Sequence, residues 1–283
     1  MYDTIVKLGN SKIQHGPKND RIYLIHLAVK DMPEILTKLD VMAYSCGYTK
    51  IFAKVPKTLS KDFGEKGYVT EATVADFYRN TEDCVFMSKF LDTKRSEQVN
   101  SVQNKKVLEV ASSKKLNSST NLQEKDFTLA DGFTFRKANP SDAHKMAEVY
   151  SKVFDSYPFP VSDAKYLKET MDDNVVYFGI WNGDQLVALS SCEMCIEDKN
   201  VEMTDFAILP QYRGYKFSLF LLEQMEKEMK KKNINTAYTI ARSNSFGMNC
   251  TFAKCGYAFG GMLVKNTQIG GKIEDMNVWF KSI

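Results

Sequence analysis

Gln211, Arg213, Gly214 and Lys216 fall within six consecutive positions, just ahead of a long apolar-periodic stretch. The run Phe206–Leu209 before them reads as the end of a strand, and Pro210 cannot continue a ladder. The helix expected to follow, from Tyr212 to Lys232, has no Ser, Thr, Asp or Asn in its first turn to accept the free N–H groups there. Bare amides, the positive end of the helix dipole and two basic side chains together suit an anion, phosphate above all. Gly214 lets a ligand approach the main chain closely. Neither G-x-x-x-x-G-K-[ST] nor G-x-G-x-x-G occurs, which disfavours a nucleoside triphosphate or a dinucleotide and leaves a compact pyrophosphate on a single turn. A plain loop end accounts for the same residues equally well. Two carboxylates, Glu202 and Asp205, lie on the strand leading into this turn. Three positions apart, they face opposite sides of a regular strand, and only a β-bulge would rephase them.

The elements that must position these residues belong to an ordinary globular chain. It has 283 residues, 43% hydrophobic and 26% charged, enough for a buried core and a soft expectation of two domains. A net charge of +3 is too mild to argue for nucleic acid. No apolar run has the length of a signal peptide or a membrane span, so the expectation is a cytoplasmic protein with neither a membrane nor a nucleic-acid partner. The oligomeric state stays open, a homodimer included. The six cysteines are expected as free thiols. Cys192 and Cys195 have C-x-x-C spacing, but on a strand their sulfurs diverge and nothing completes a tetrahedral set, so no metal is expected.

Residues 132–283 alternate strand and helix signals. A short strand precedes Asn139-Pro140 and a first helix. A second helix starts near Ser162, and an Asn182-Gly183 hairpin and a further strand follow. The long helix comes next, then the strand Thr236–Arg242, a short helix ending at Gly256 and two last strands. This is a mixed α/β sheet. Residues 98–131, rich in Ser, Asn and Lys, read as a linker, part of it (Ser96–Ala111) helical. Residues 1–97 form a smaller α/β domain, with Val69–Arg79 expected as helix. Tyr48–Lys54 matches Thr236–Arg242 in place after a helix, and Gly67-Tyr68 matches Gly256-Tyr257, so a degenerate internal half-repeat is one reading and an unrelated cap the other.

The stretch "DFAILPQYRGYKFSLFLL" resembles the acyl-coenzyme A signature of the GNAT N-acetyltransferase superfamily, with Gln211 and Gly214 in place and Lys216 where Gly or Ala is usual. The resemblance runs from Phe133 to Ile283. "ARSNSFGMNCTFAKCGYAFGGMLVKNTQI" and "DMNVWFK", with the N-terminal "KIFAKVP", are similar to the beta-lysine N-acetyltransferase family and extend the likeness over nearly the whole chain. That family implies a GNAT fold, acetyl-CoA as co-substrate, the terminal amine of beta-lysine as acceptor, and a product that serves as a compatible solute. It implies a cofactor site at Phe206, Ala207, Ile208, Gln211, Arg213, Gly214, Tyr215, Lys216, Phe217, Ser218, Asn249 and Phe252. The Phe206–Ile208 backbone would stabilise the oxyanion, and Glu202 or Asp205 would act as base. The superfamily often places an acidic Tyr four residues before the last helix's Gly. Phe252 stands there, so Tyr257, another residue or solvent must protonate the thiolate. A beta-amino acid needs a cation for its carboxylate, with Arg136 and Arg242 as candidates, and Tyr157 and Phe159 could cover the acceptor. Other readings are a polyamine or protein-lysine acetyltransferase and a non-catalytic acyl-CoA-binding module, which Lys216 and Phe252 keep open.

Overall fold

The structure, a computed structural model, describes residues 2–119 and 127–283. The expected linker 98–131 therefore lies partly outside the described residues. Thirteen strands of the described residues join in one sheet. The N-terminal part contributes β1 (Thr4–Leu8), β2 (Ser11–Gly16), β3 (Arg21–His26), α1 (Glu34–Cys46), β4 (Lys50–Pro56), α2 (Ser60–Glu65), β5 (Val69–Tyr78) and β6 (Glu82–Phe90). The helix α3 (Ser101–Ser119) follows. The C-terminal part contributes β7 (Phe133–Lys137), α4 (Ala143–Val153), α5 (Ala164–Asp172), β8 (Val175–Asn182), β9 (Gln185–Cys195) and β10 (Asn200–Ile208). It continues with α6 (Phe217–Lys231), β11 (Thr236–Arg242), α7 (Phe246–Lys254), β12 (Ala258–Ile269) and β13 (Lys272–Ser282). The strand order is β1-β2-β3-β4-β6-β5-β12-β13-β11-β10-β9-β8-β7.

Several expectations are corrected. Val69–Arg79 is not a helix: β5 pairs antiparallel with β6. Its Thr, Val, Phe and Tyr residues favour a pleated surface, and Arg79 and Asn80, both at positive φ, close the hairpin. The expected helix at Tyr212 begins only at Phe217, because Gly214 (φ 96°) and Lys216 (φ 61°) are left-handed and interrupt it. Asp163, not Ser162, caps α5, accepting from the Lys165 amide.

Helices cover one face of the N-terminal strands. Ile35, Leu36 and Leu39 of α1 pack on Ile22, Leu24, Ile51 and Ala53. The alternate residues Arg21, Tyr23, Phe52 and Lys54 point the other way, into a cavity shared with the C-terminal half. The halves join where β12 meets β5 at Gly261↔Ala72. A Cβ on Gly261 would lie 2.2 Å from the Glu71 carbonyl oxygen, so only glycine allows this approach. Just beyond, β12 leaves its β13 register between Leu263 and Thr267. N-terminal side chains grip the freed backbone. Glu71 accepts from Val264 N (2.6 Å), Lys50 donates to Val264 O (2.6 Å), Arg95 Nε donates to Lys265 O (2.9 Å), and Arg21 donates to Asn266 O. Buried Phe52, Phe77 and Phe86 meet Tyr238 and Val278 across the same seam.

Candidate active site

The parallel ladder between β10 and β11 ends at Glu202↔Tyr238. Beyond it the strands part, and Thr204, Phe206 and Ile208 face Thr239, Ile240 and Ala241 across a cleft. A bulge in β10 between Thr204 and Ala207 causes the change of course. Before it Val201 and Met203 pack on the α6 side; after it Ala207 and Leu209 pack on the α4 side. The bulge thus turns Glu202 and Asp205 into one cavity of about 1910 Å³. Asp205 takes a left-handed φ of 55°, a cost typical of a functional kink.

At the C-terminal end of β10, a short 3₁₀ turn (Pro210–Tyr212) leads to the mouth of α6. Lys216 occupies the N-cap position without a side-chain cap, and the first amides to find carbonyl partners are those of Leu219 and Phe220, both on Lys216 O. The amides of Gly214 to Ser218 have no hydrogen-bond partner among the described residues, and Gly214, Lys216, Phe217 and Ser218 line the cavity. Nothing lies within 4 Å of where a Gly214 Cβ would project. Arg213 and Lys216 flank this opening, and Ser218 Oγ meets Thr251 Oγ1 of α7 at 3.0 Å. Free amides and basic side chains at a helix terminus suit an anion.

Deeper in the cavity three carboxylates converge. Glu193 stands directly opposite Glu202 in the β9–β10 register, an arrangement that repels when both are charged. Burial, then Glu202 and Asp205, push the Glu193 carboxyl well above its ordinary range. Burial also raises Glu202 and Asp205, against the pull of Lys54 and Tyr238 on Glu202. Glu193 is exposed to the cavity, with protein around the site. Asp205 is fully engaged: Tyr157 Oη donates to one oxygen (2.5 Å) and Ser191 Oγ to the other (2.5 Å). Among the described residues Glu202 is met by Tyr238 and Lys54 alone and lacks the two-oxygen hydroxyl clamp of Asp205. Lys54 donates to Tyr238 Oη (3.4 Å) at the edge of this cluster.

Of the residues expected at the site, Glu202, Asp205, Phe206, Ile208, Arg213, Gly214, Lys216, Phe217, Ser218, Phe252, Tyr157, Phe159 and Arg242 line the cavity. Ala207 packs its methyl into the core and can offer only backbone. Gln211 and Tyr215 are exposed and off the wall, Tyr215 stacking on Phe217 at 5.4 Å. Three expectations are displaced. Arg136 sits on the edge strand β7, forked onto Asp142 (2.6 and 2.8 Å) and lying 3.8 Å over Trp181, away from the cavity. Tyr257 is sealed behind Phe252 beside Glu226, so its hydroxyl cannot reach a thiolate in the cleft. Asn249 donates to Arg242 O and Ser245 O and accepts from Asn277 and Trp279, which uses its whole hydrogen-bonding capacity inside the fold. Sequence reading missed Glu193, Lys54, Arg21 and Gln14. The available signal was a charged residue on an otherwise apolar strand face: Glu193 in "ALSSCEM" and Lys54 in "KIFAKVP".

The acetyltransferase (GNAT) family model matches residues 144–257. A beta-lysine N(6)-acetyltransferase of Methanococcus maripaludis is 42% identical over 99% of this chain and 98% of its own. A second, from Methanosarcina mazei, is 30% identical over 88% of this chain and 97% of its own. Among solved structures, a spermidine N-acetyltransferase mutant from Vibrio cholerae is 18% identical with a TM-score of 0.47, covering 54% of this chain and 95% of that one. With the cradle, the splayed strands and a relative matched from end to end, the chain belongs to the GNAT acetyltransferase family, within its beta-lysine N(6)-acetyltransferase branch.

Proposed function

We infer that the protein transfers acetyl from acetyl-CoA to the terminal (N6) amine of beta-lysine. One observation carries the reading: a single cavity joins an uncapped helix terminus to three recessed carboxylates. The amides of Gly214–Ser218 would hold the pyrophosphate, with Arg213 and Lys216 beside it. The open edge of Thr204–Ile208 would take the pantetheine arm and place the thioester beside the acids.

At pH 7 a free alkyl ammonium must lose a proton at a cost of about 4–5 kcal/mol. Glu202 is the residue suited to take it, directly or through water, because burial raises its proton affinity and it lacks the double hydroxyl clamp that holds Asp205. Asp205, held by Tyr157 and Ser191, keeps the bulge in shape and adds negative charge to attract the ammonium. Backbone amides at Phe206–Ile208 would stabilise the oxyanion after attack. With Tyr257 sealed away, the departing thiolate would take its proton from solvent in the cleft. Acetylation removes one positive charge from an acceptor bearing two ammonium groups and one carboxylate, leaving a net-neutral zwitterion. Such a product suits the role of a compatible solute in the cytoplasm. We further propose that residues 132–283 are the acetyltransferase domain, that 98–131 link it to the rest, and that 1–97 are a degenerate repeat of the same unit.

The test is to mix purified protein with acetyl-CoA and one amine at a time and follow free thiol. Release with beta-lysine well above that with α-lysine, spermidine or a lysine peptide is expected. Release only with one of the others would replace the acceptor, and release with none would remove the enzymatic reading.

A further inference from the structure

The far end of the cavity is walled by the N-terminal half, where three buried side chains carry polar atoms without a partner. They are Arg21 Nε, Gln14 Nε2, and both side-chain polar atoms of Asn266. Arg21 is 5% exposed, Gln14 2% and Asn266 1%, and all three line the same cavity. Buried groups of this kind are rarely left unmade, and several together mark a place for something else.

The charges around them do not balance. Lys50 pairs with Glu71 (2.9 Å) and Arg95 with Asp20 (3.1 Å). Arg21 makes no ion pair among the described residues; its one hydrogen bond goes to a backbone carbonyl. Burial, reinforced by the nearby Arg95, pulls its guanidinium down to about 10, so it remains a cation at neutral pH. Asp3 and Glu71 attract it only from a distance, each held by other partners, and a buried arginine without a contacting counter-ion is costly, a cost that a planar anion would relieve. Arg21 lies 5.2 Å from the Tyr23 ring, and Lys54 lies 5.7 Å from the same ring before reaching Tyr238 and the acids. One cavity therefore has a cationic pole on the N-terminal half and an acidic pole at the β10 bulge.

We propose that Arg21, with the Gln14 and Asn266 amides, binds the carboxylate of the acceptor, so that the N-terminal half selects an amino acid over a simple polyamine. This rests on the acceptor being an amine that carries a carboxylate, as in the function inferred above. Arg242 is the competing cation. It lines the cavity from the end of β11, but it is half-exposed and has no cluster of unpartnered amides around it. Lys54 is already matched to Glu202, Tyr23 and Tyr238.

The experiment compares matched acceptors, beta-lysine with beta-lysinamide and α-lysine with lysinamide, in wild type, Arg21→Met, Gln14→Met and Arg242→Met. Wild type should favour acid over amide by about 10²-fold in kcat/KM. Arg21→Met should bring that ratio near one by raising KM for the acid, with KM for acetyl-CoA and turnover of the amide little changed. Gln14→Met, which touches no bond of the joint between the halves, should reduce the ratio in the same direction and decides the matter if Arg21→Met does not fold. Equal use of acid and amide by wild type would overturn the proposal. So would a collapse of the ratio only in Arg242→Met, or an Arg21→Met defect equal on acid and amide with Gln14→Met unchanged. Failure of wild type on beta-lysine alone would overturn the acceptor reading, while the ratio for α-lysine, if that is turned over, still judges Arg21. No turnover of any amine would overturn both.

Discussion

In each half of the molecule a bulged hairpin runs through a 3₁₀ turn into a crossover helix and back to a parallel strand. On one side β2–β3 leads through Val29–Asp31 into α1 and β4; on the other β9–β10 leads through Pro210–Tyr212 into α6 and β11. Both ascending strands carry one extra residue against their hairpin partner, at Ile25 and at Asp205–Phe206. Both halves then add a short helix and a hairpin whose second strand lies beside the parallel one. Phe63 and Tyr68 meet edge-on at 5.1 Å around Gly67, as Phe252 and Tyr257 do at 5.1 Å around Gly256. The difference is in the connection. Two residues, Met32 and Pro33, separate the 3₁₀ turn from α1, whereas four, Arg213 to Lys216, precede α6, two of them left-handed. Asp31 folds back to accept from Asn10 and Ser11, Glu34 places negative charge in the first turn of α1, and Pro33 has no N–H to offer. The topology is shared; the open helix mouth depends on two extra residues, and its charge on which side chains flank them.

The largest effect is expected where the acids differ. Glu202→Gln should lower kcat/KM for the amine by about 10²–10⁴-fold, with acetyl-CoA binding intact. Because the base must be unprotonated, wild-type activity should fall as pH drops through the raised pKa of Glu202, above the ordinary Glu value of about 4.3. The variant should lack that limb. An unchanged pH profile of the variant in initial-rate measurements would move the base elsewhere in the cluster.

Next comes the connection itself. Gly214→Glu puts a Cβ at φ 96° and a carboxylate into the open cradle, giving α6 the charge that α1 already has. Strain and like-charge repulsion together should weaken coenzyme A binding by about 10–100-fold. Titration calorimetry with coenzyme A checks this, and an unchanged affinity would detach the diphosphate from this turn.

How far the sequence foretold this difference depends on what each signal reports. The strand–turn–helix run around Gly214 was legible because Pro210, a glycine and a missing cap are local signals. The true start of α6 was not, since apolar periodicity continues back through Tyr212 and only the left-handed Lys216 stops it. Glu202 and Asp205 were visible as types, but their convergence required the bulge, which one strand's sequence does not announce. Val69–Arg79 misled because Ala, Glu and Asp dilute its β-branched residues, and its pairing with β6 overrides local propensity. Arg136 and Asn249 have the chemical type their expected roles need, and each is consumed by neighbours contributed from other elements. Arg21 and Gln14 could not be found from the chain itself, because their importance lies in partners they lack.

The smallest effect separates one acid of each half by stability instead of rate. Glu71 has Lys50 at 2.9 Å, Ser88 and the Val264 amide to satisfy its charge. Glu193 has two other carboxylates as neighbours, and burial raises its pKa along with them. A carboxyl whose folded pKa exceeds its unfolded one makes the folded state hold the extra proton, so its contribution is complete at low pH and lost as pH rises through the folded value. Glu193→Gln mimics the protonated form and removes that loss. Its Tm without ligands should exceed that of wild type by a few degrees at pH 8, and the gap should close toward pH 4. The gain stays small because water enters the cavity and screens the charges. Glu71→Gln should do the opposite, lowering Tm at pH 8 by leaving Lys50 buried without its partner. If thermal unfolding instead showed Glu193→Gln destabilised at pH 8, the acidic pole would be a self-satisfied structural cluster, and the cavity would lose its reason to attract an ammonium.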